Sequence, residues 1–287
     1  IRDVAVTGVQ TCALPIYASR CTGCFNCHLA CRDEHAGIDH LPLARAQPAQ
    51  GGAWIEVRLE ERGSYPKVKL SRVPVPCLQC EEAPCLTAAR GGAVYRRADG
   101  IVVIDPAKAA GQRQLVAACP HHAIAWNEAL QLAQKCSFCA HLLDQGWTTP
   151  RCVEACPTEA LRFGDIGDPS SEISRLRQTK SLQPLQAPGA ASTAVMYAGL
   201  PTRFITGEIA FADRDEEPAR DVMVRLHGGR ESLTLHTDAF GDFAFEGLDH
   251  RVDYHLTVEH AGYRRRELTI SAGDSFNVGT LFLQLAC

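Results

Sequence analysis

The segment CTGCFNCHLAC at residues 21–31 carries the strongest signal in this chain, because it brings four thiols into a short stretch. Its spacing is Cys21-x2-Cys24-x2-Cys27-x3-Cys31. Three cysteines at this spacing can bind three corners of one 4Fe-4S cubane, while the fourth cysteine reaches a second cluster. The segment therefore predicts an iron-sulfur protein in which two cysteine runs exchange their last ligands.

A second cysteine run complements the first. It reads Cys136-x2-Cys139-x12-Cys152-x3-Cys156 and is followed by proline, as in bacterial ferredoxin runs. Exchange of the fourth ligands then predicts two complete clusters. The first takes Cys21, Cys24, Cys27 and Cys156, and the second takes Cys31, Cys136, Cys139 and Cys152.

An incomplete pair of runs stands between these two. It consists of Cys77-x2-Cys80-x4-Cys85 and of Cys119, which is again followed by proline. A complete pair would have cysteines where this chain has Ala89, Ala109, Gln112 and Leu115. Under the exchange rule, those four absences are the full ligand set of one cluster, and the four cysteines present are the full set of its partner. The sequence therefore predicts twelve ligands for three 4Fe-4S clusters.

Two other uses of cysteine are alternatives to iron-sulfur chemistry. Cys-x2-Cys pairs also build structural zinc sites, but the run at residues 21–31 is too crowded for one tetrahedral ion. A disulfide framework is typical of short secreted chains, whereas this chain of 287 residues crowds most of its 14 cysteines into one half. Cys12 and Cys287 lie outside the runs and receive no role.

Other polar residues near the cysteines are interpreted as structural. A full set of thiolates leaves no coordination position for imidazole, so the neighbouring histidines are not expected to bind metal: His28, His35, His121, His122 and His141. Basic residues beside the ligands could raise cluster potentials by their charge, or could equally be solvated or contact another subunit: Arg20, Arg32, Lys135 and Arg151.

The composition argues against several classes of function. With a net charge of -4, the chain has no basic field for a phosphate backbone, so nucleic acid is not an expected partner. No apolar stretch is long enough to span a bilayer and no export signal is recognisable, which predicts a cytoplasmic protein without direct membrane insertion. Residues 1–16 resemble the translation of a sequencing adaptor and are interpreted as non-native, replacing a short strand that led into Tyr17.

The sequence pattern changes along the chain. Residues 17–164 hold the cysteine runs and are predicted to form a ferredoxin-like 4Fe-4S domain. Residues 165–201 are rich in Ser, Pro, Gly and Ala, which is typical of a linker. Apolar and polar residues alternate over 202–286, which predicts a small antiparallel β-sandwich with Phe243 and Phe245 in its core. The expected fold class is α+β, with a double iron-sulfur domain followed by this sandwich.

The cysteine runs from Cys21 to Cys156 resemble those of the iron-sulfur subunits that accompany molybdenum or tungsten enzymes of the dimethyl sulfoxide reductase family. Such subunits usually hold four clusters. The predicted combination of three clusters with an added transthyretin-like, or carboxypeptidase-regulatory-like, β domain makes this chain similar to the small subunits of transhydroxylases in this family. The segment VMYAGLP at residues 195–201 resembles the end of their ferredoxin-like domain.

The resemblance implies an electron-transfer subunit without catalytic residues of its own. A separate large subunit would bind molybdopterin and form a heterodimer with this chain, moving a hydroxyl group between trihydroxybenzenes such as pyrogallol and phloroglucinol. The β domain would serve for docking or stability. Two alternatives remain open: an electron-transfer subunit of a respiratory oxidoreductase that acts on sulfur or arsenic oxyanions, and a free-standing polyferredoxin.

Overall fold

The chain forms two compact units in the computed structural model. Unit 1 comprises residues 1–59 and 72–200, and unit 2 comprises residues 60–71 and 201–287. The structure describes residues 12–51, 53–179, 182–185 and 192–286. Most of the segment interpreted as non-native, and also Cys287, therefore lie outside the described residues.

Unit 1 is built from short helices and short strands. Its helices are α1 (Asn26–His35), α2 (Pro84–Ala88), α3 (Gln114–Ala117), α4 (Ala140–Asp144), α5 (Arg151–Glu154) and α6 (Glu172–Thr179), and Ala18–Arg20 form a 3₁₀ turn. Its strands are β1 (Cys12–Tyr17), β2 (Ile55–Ser64), β3 (Lys67–Pro76), β4 (Val94–Arg96), β5 (Val102–Ile104), β6 (Ile124–Asn127), β7 (Leu132–Lys135), β8 (Gly164–Asp165) and β9 (Val195–Ala198). The outer part of the β2–β3 hairpin, residues 60–71, belongs to unit 2.

β1 is the central strand of a three-stranded sheet. It pairs antiparallel with β8 and parallel with β9. Leu14 and Ile16 of β1 are completely buried, as is Tyr197 of β9, whose hydroxyl donates to the carbonyl of Pro74 at 3.0 Å. Residues of the stretch interpreted as non-native thus occupy a core strand, at the place where a native strand is expected.

Two apolar cores hold unit 1 together. The larger core surrounds β1, β9 and the base of the β2–β3 hairpin, and it includes buried cysteines such as Cys27, Cys136 and Cys152. The smaller core lies among α2, α3 and the hairpins β4–β5 and β6–β7. Isolated helices shorter than about 12 residues are marginal in water. The short helices of unit 1 therefore depend on packing in these two cores and on any group that the cysteines bind.

Unit 2 contains two sheets that share one core. Its strands are β10 (Arg203–Phe211), β11 (Met223–Gly228), β12 (Glu231–His236), β13 (Asp242–Leu248), β14 (Tyr254–Glu259), β15 (Arg266–Ile270) and β16 (Phe276–Leu283). The strand orders are β13–β10–β16 and β12–β11–β14–β15. Phe243 and Phe245 are each only 3% exposed and lie in the shared core, as predicted.

One strand pair of unit 2 differs from the expectation of a wholly antiparallel unit. β10 and β16 run parallel, while the other pairs among the strands of unit 2 are antiparallel. A parallel pair needs a long connection between its strands. Here the intervening strands β11–β15 provide that connection, so the pairing could not be read from neighbouring segments.

Candidate iron-sulfur site

The described cysteines of unit 1 other than Cys12 fall into three groups, in each of which four sulfurs lie close enough to repel one another's charge. The groups are Cys21, Cys24, Cys27 and Cys156; Cys31, Cys136, Cys139 and Cys152; and Cys77, Cys80, Cys85 and Cys119. We call them the first, second and third groups. The ligand exchange inferred from the spacing predicts the same three sets.

The thiols of these groups are poor places for isolated negative charge. Burial raises the pKa of Cys27 and of Cys80 to about 12, and the other sulfurs of each group contribute to that rise. Burial also raises the pKa of Cys152 well above its usual range. Four thiolates in such surroundings need positive charge between them, which the iron of a 4Fe-4S cluster supplies. The donor type, the number of donors and the burial of most of them therefore fit this cofactor.

The second group borders both of the others. Cys27 of the first group contributes to the raised pKa of Cys152, and Cys77 of the third group contributes to that of Cys136. Because the interaction between charges falls with distance, these thiols are near neighbours. The second group therefore has thiol neighbours in both of the other groups.

Two helices, α1 and α5, each contribute one cysteine to the first group and one to the second, on the helix or just after it. On α1, Cys27 and Cys31 are four residues apart, a spacing that places them on one face of the helix, and both are buried. Cys27 belongs to the first group and Cys31 to the second. On and just after α5, Cys152 belongs to the second group and Cys156 to the first, and α5 packs against α1.

The first Cys-x2-Cys spacing of three cysteine runs, those that begin at Cys21, Cys77 and Cys136, bends the backbone in the same way. The residue before the second cysteine has a positive φ, which is 73° at Gly23, 51° at Gln79 and 53° at Phe138. This left-handed conformation is uncommon outside glycine, and it can turn successive N–H groups toward one concave side, where an anion binds. The N–H of Phe138 accordingly donates to Cys136 Sγ at 3.4 Å. Sequence reasoning recognised the spacing but not this shared turn.

The two Cys-Pro endings also share one geometry. Three residues beyond each cysteine, His122 and Glu159 have φ values of 56° and 51°. The next residue then donates its N–H to the cysteine sulfur, from Ala123 to Cys119 and from Ala160 to Cys156, both at 3.3 Å. Hydrogen bonds of this kind favour the thiolate and tune the potential of a bound cluster.

Three further side chains lie at or near the second group, and sequence reasoning did not select one of them, Gln47. Gln47 is 2% exposed, and its Nε2 donates to Cys31 Sγ at 3.6 Å. Arg32 holds this amide in place by donating to its Oε1 at 3.2 Å. His35 Nε2 lies 3.9 Å from Cys139 Sγ. Gln47 is remote from every cysteine motif in the sequence, so no local signal points to it.

The positions where a fourth ligand set is missing are filled by packing. Ala109 and Leu115 are completely buried in the smaller core, and Ala89 packs against it. The Gln112 side chain accepts from the N–H of Arg90 at 2.9 Å and donates to the carbonyl of Arg90 at 3.1 Å. Apolar contacts and one amide thus stabilise the region where the cysteine pattern would place a fourth set of thiolates.

Three histidines form a compact cluster beside the second group. The ring nitrogens of His35, His40 and His141 lie within 4.8 Å of one another. The rings of His40 and His141 are stacked, with centroids 3.7 Å apart and an angle of 18° between their planes. An ion bound in the plane of one ring would lie well off the plane of the other. Burial lowers the pKa of His35 to about 3. His141 Nε2 lies 2.9 Å from the carboxylate oxygen Oε1 of Glu34.

Of the remaining histidines and arginines selected from the sequence, His28, Arg20 and Arg151 have ordinary partners, whereas His121 Nε2 is buried without a hydrogen-bond partner among the described residues. His28 Nδ1 lies 3.0 Å from the carbonyl of Ile55, and the carbonyl of His121 accepts from Arg58 at 2.8 Å. Arg20 lies over the ring of Tyr17, and Arg151 is 3.4 Å from Glu34.

Within the described ranges, no helix has the length and apolar character needed to cross a membrane.

Residues 68–166 match the family of 4Fe-4S dicluster domains. With the three cysteine groups, this match defines an iron-sulfur electron-transfer protein. The chain belongs to the family of iron-sulfur subunits of molybdoenzymes, as its similarity to the pyrogallol hydroxytransferase small subunit of Pelobacter acidigallici shows. The two are 32% identical over 274 residues, which cover 93% of this chain and 97% of that protein.

Other relatives match a smaller part of the chain. Protein NrfC of Escherichia coli K12 is 36% identical over 56% of this chain and 69% of its own length. The thiosulfate reductase electron transfer subunit PhsB of Salmonella typhi is 36% identical over 54% of this chain and 76% of its own length. Both matches leave over two fifths of this chain uncovered, unlike the match to the Pelobacter protein.

Proposed function

We propose that this chain is the small subunit of a cytoplasmic molybdopterin transhydroxylase that converts pyrogallol to phloroglucinol. The extent of similarity carries this proposal. The match to the Pelobacter protein covers 93% of this chain and so includes unit 2, whereas the match to NrfC covers 56%. Unit 2 would correspond to the transthyretin-like β domain, with a role in docking or stability.

The proposal includes three 4Fe-4S clusters, one for each cysteine group. Their ligands are Cys21, Cys24, Cys27 and Cys156; Cys31, Cys136, Cys139 and Cys152; and Cys77, Cys80, Cys85 and Cys119. The grouping of four cysteines in each set, with most of the twelve buried and only Cys24 exposed, supports this assignment. The packing around Ala109 and Leu115, where a fourth set would need thiolates, supports the number three.

The residues of this chain would bind and tune electron carriers, while a separate large subunit would bind molybdopterin and substrate. When bound, 4Fe-4S clusters accept and donate single electrons. Pyrogallol and phloroglucinol are isomeric trihydroxybenzenes, so their interconversion consumes neither an oxidant nor a reductant. Electron transfer through this subunit would therefore set the oxidation state of the molybdenum rather than supply each turnover.

Anaerobic purification tests the proposal directly. This chain would be copurified with the large subunit encoded beside it, and the complex incubated with pyrogallol after brief reduction. Formation of phloroglucinol without an added electron acceptor is the expected result. Absence of that product, with dye-linked reduction of a sulfur or arsenic oxyanion instead, would favour the respiratory alternative. Purification without any large subunit would favour a free polyferredoxin.

A matched variant separates priming from turnover. In the complex carrying Cys85→Ser, we expect slower reductive activation but unchanged turnover after full activation. The surface variant Lys108→Met, at a residue whose side chain is 56% exposed, should change neither rate. Equal loss of activation and turnover in Cys85→Ser would contradict the priming role.

A further inference from the structure

Among the described residues, Lys135 is a buried cation without a carboxylate partner. It ends β7 and is only 5% exposed. Its Nζ donates to the carbonyl of Val102 and, at 3.2 Å, to the carbonyl of Cys136. Within the part of the chain that the structure describes, the lysines that form ion pairs are Lys67, Lys69 and Lys108.

A buried ammonium requires compensation. Proteins rarely bury a charge completely unless it is paired, because removal from water is costly and neutral carbonyls offset only part of that cost. Two backbone carbonyls supply hydrogen bonds here but no net negative charge. The surroundings of Lys135 therefore point to a negative group that the amino acids near it do not provide.

The third cysteine group is where that negative group would lie. Lys135 lines the same cavity as Cys77, Cys80, Cys85 and Cys119. Its positive charge lowers the pKa of Cys85 and is the strongest influence on that thiol after burial, which raises it. Lys135 is not among the main influences on Cys136 of the second group, although it precedes that residue in the chain.

We propose that Lys135 is the buried counter-ion of the third cluster and raises its reduction potential. The inference rests on the proposed assignment of three clusters. A 4Fe-4S cluster bound by four thiolates carries net negative charge, and one-electron reduction adds one more negative charge. A fixed cation therefore stabilises the reduced cluster more than the oxidised one.

A purely structural role for Lys135 makes a different prediction. The ammonium also links the end of β7 to β5 through the carbonyl of Val102, and this link could position the strands without any electrostatic effect. Loss of the link would reduce stability or cluster content. It would not shift the potential of one fully assembled cluster while leaving the other two unchanged.

Redox titration of the anaerobic holoprotein, followed by electron paramagnetic resonance, tests the inference. The signal of the third cluster would be identified by its absence in Cys85→Ser. In Lys135→Met, we expect the equilibrium constant for reduction of that cluster to fall at least tenfold, which is a decrease of about 59 mV for one electron. Signals of the other two clusters should keep their potentials.

Three further variants sharpen this experiment. Lys135→Gln keeps a hydrogen-bond donor but no charge, so it should lower the potential of the third cluster as Lys135→Met does. If Lys135→Met fails to fold, Lys135→Gln replaces it in the experiment. Lys135→Arg keeps the charge and should stay near the wild-type potential. Lys108→Met removes an exposed charge and should have no effect.

The outcomes distinguish this inference from the function on which it rests. Unchanged potential of the third cluster in both neutral variants, at full iron content, would overturn the role of Lys135 and leave the cluster assignment intact. A wild-type protein with fewer or more than three clusters would instead contradict the assignment itself, whatever the variants show.

Discussion

Single cysteines differ in whether they are expected to bind a cluster. Cys85 is buried within the third group, whereas Cys12 lies on β1, outside all three groups. Cys85→Ala should lower the iron content from about twelve to about eight atoms per chain, because one 4Fe-4S cluster loses a ligand. Iron and labile sulfide analysis would measure this.

The matched control for that change is Cys12→Ser. We expect full iron content and three clusters in this variant. Loss of iron in Cys12→Ser would show that the ligand sets are assigned wrongly. Full iron content in Cys85→Ala would show the same for the third group.

Gln47 is expected to act on one cluster by a single hydrogen bond. Replacement by leucine removes the donor to Cys31 Sγ while keeping a similar volume. A hydrogen bond that favours the reduced cluster by about 1 kcal/mol corresponds to roughly 40 mV for one electron. The potential of the second cluster in Gln47→Leu should fall by about this amount in a redox titration. An equal shift in Gln284→Leu, which changes an exposed glutamine of unit 2, would rule out a local effect.

The cysteine spacing predicts the three groups, and Lys135 is among the basic residues that the sequence suggests could raise a cluster potential, but the sequence does not indicate Gln47 or the group that Lys135 faces. Spacing is a local property, and the exchange rule converts it into ligand sets without further information. Gln47 and Lys135 act through tertiary contacts, and their neighbours in the sequence do not reveal those contacts. Lys135 precedes Cys136 in the sequence, which gives no indication that its charge lowers the pKa of Cys85 in another run.

At the scale of secondary structure, the turn before β13 depends on one glycine. Gly241 has a φ of 78°, and a Cβ atom there would meet the carbonyl oxygen of Ile209 at 2.3 Å. The carbonyl of Gly241 also accepts from the N–H of Ile209 at 2.8 Å, so the two chain segments cannot easily separate. Gly241→Ala should destabilise unit 2 by about 1–3 kcal/mol or more, through backbone strain and this clash.

Chemical denaturation followed by hydrogen exchange in β10 and β13 would measure that loss. Gly262→Ala is the matched control, because Gly262 has a similar φ of 83° but no described atom within 4 Å of the added Cβ. In Gly262→Ala, the free energy of unfolding should fall only by the cost of the positive φ for alanine, about 1–2 kcal/mol. Equal losses in the two variants would mean that the contact with Ile209 is unimportant.

The elements also show where sequence patterns reach their limit. Alternation of apolar and polar residues predicted the strands of unit 2, because one face of each strand is buried. Composition suggested a linker over residues 165–201, yet this stretch supplies α6 and β9 to unit 1. β9 is a strand because it pairs with β1, and a pairing over such a distance in the chain leaves no periodic signal in four residues.

At the scale of the whole molecule, the two units are stabilised in different ways. The larger core of unit 1 contains Cys27, Cys31, Cys77, Cys136 and Cys152, so a cofactor bound to these thiols would be part of that core. Its helices are between 4 and 10 residues long, which is too short for stability without tertiary contacts. The described core of unit 2 contains no cysteine.

Removal of iron should therefore affect the units unequally. Because metal binding contributes directly to folding where the ligands form the core, we expect unit 1 to lose protection when the clusters are removed with an oxidant and a chelator. Hydrogen exchange measured by mass spectrometry should show at least tenfold faster exchange in α1 and β7. Exchange in β10 and β14, whose side chains pack in the cysteine-free core, should stay unchanged. Loss of protection in both units would instead mean that the core of unit 2 does not maintain its sheets without a folded unit 1.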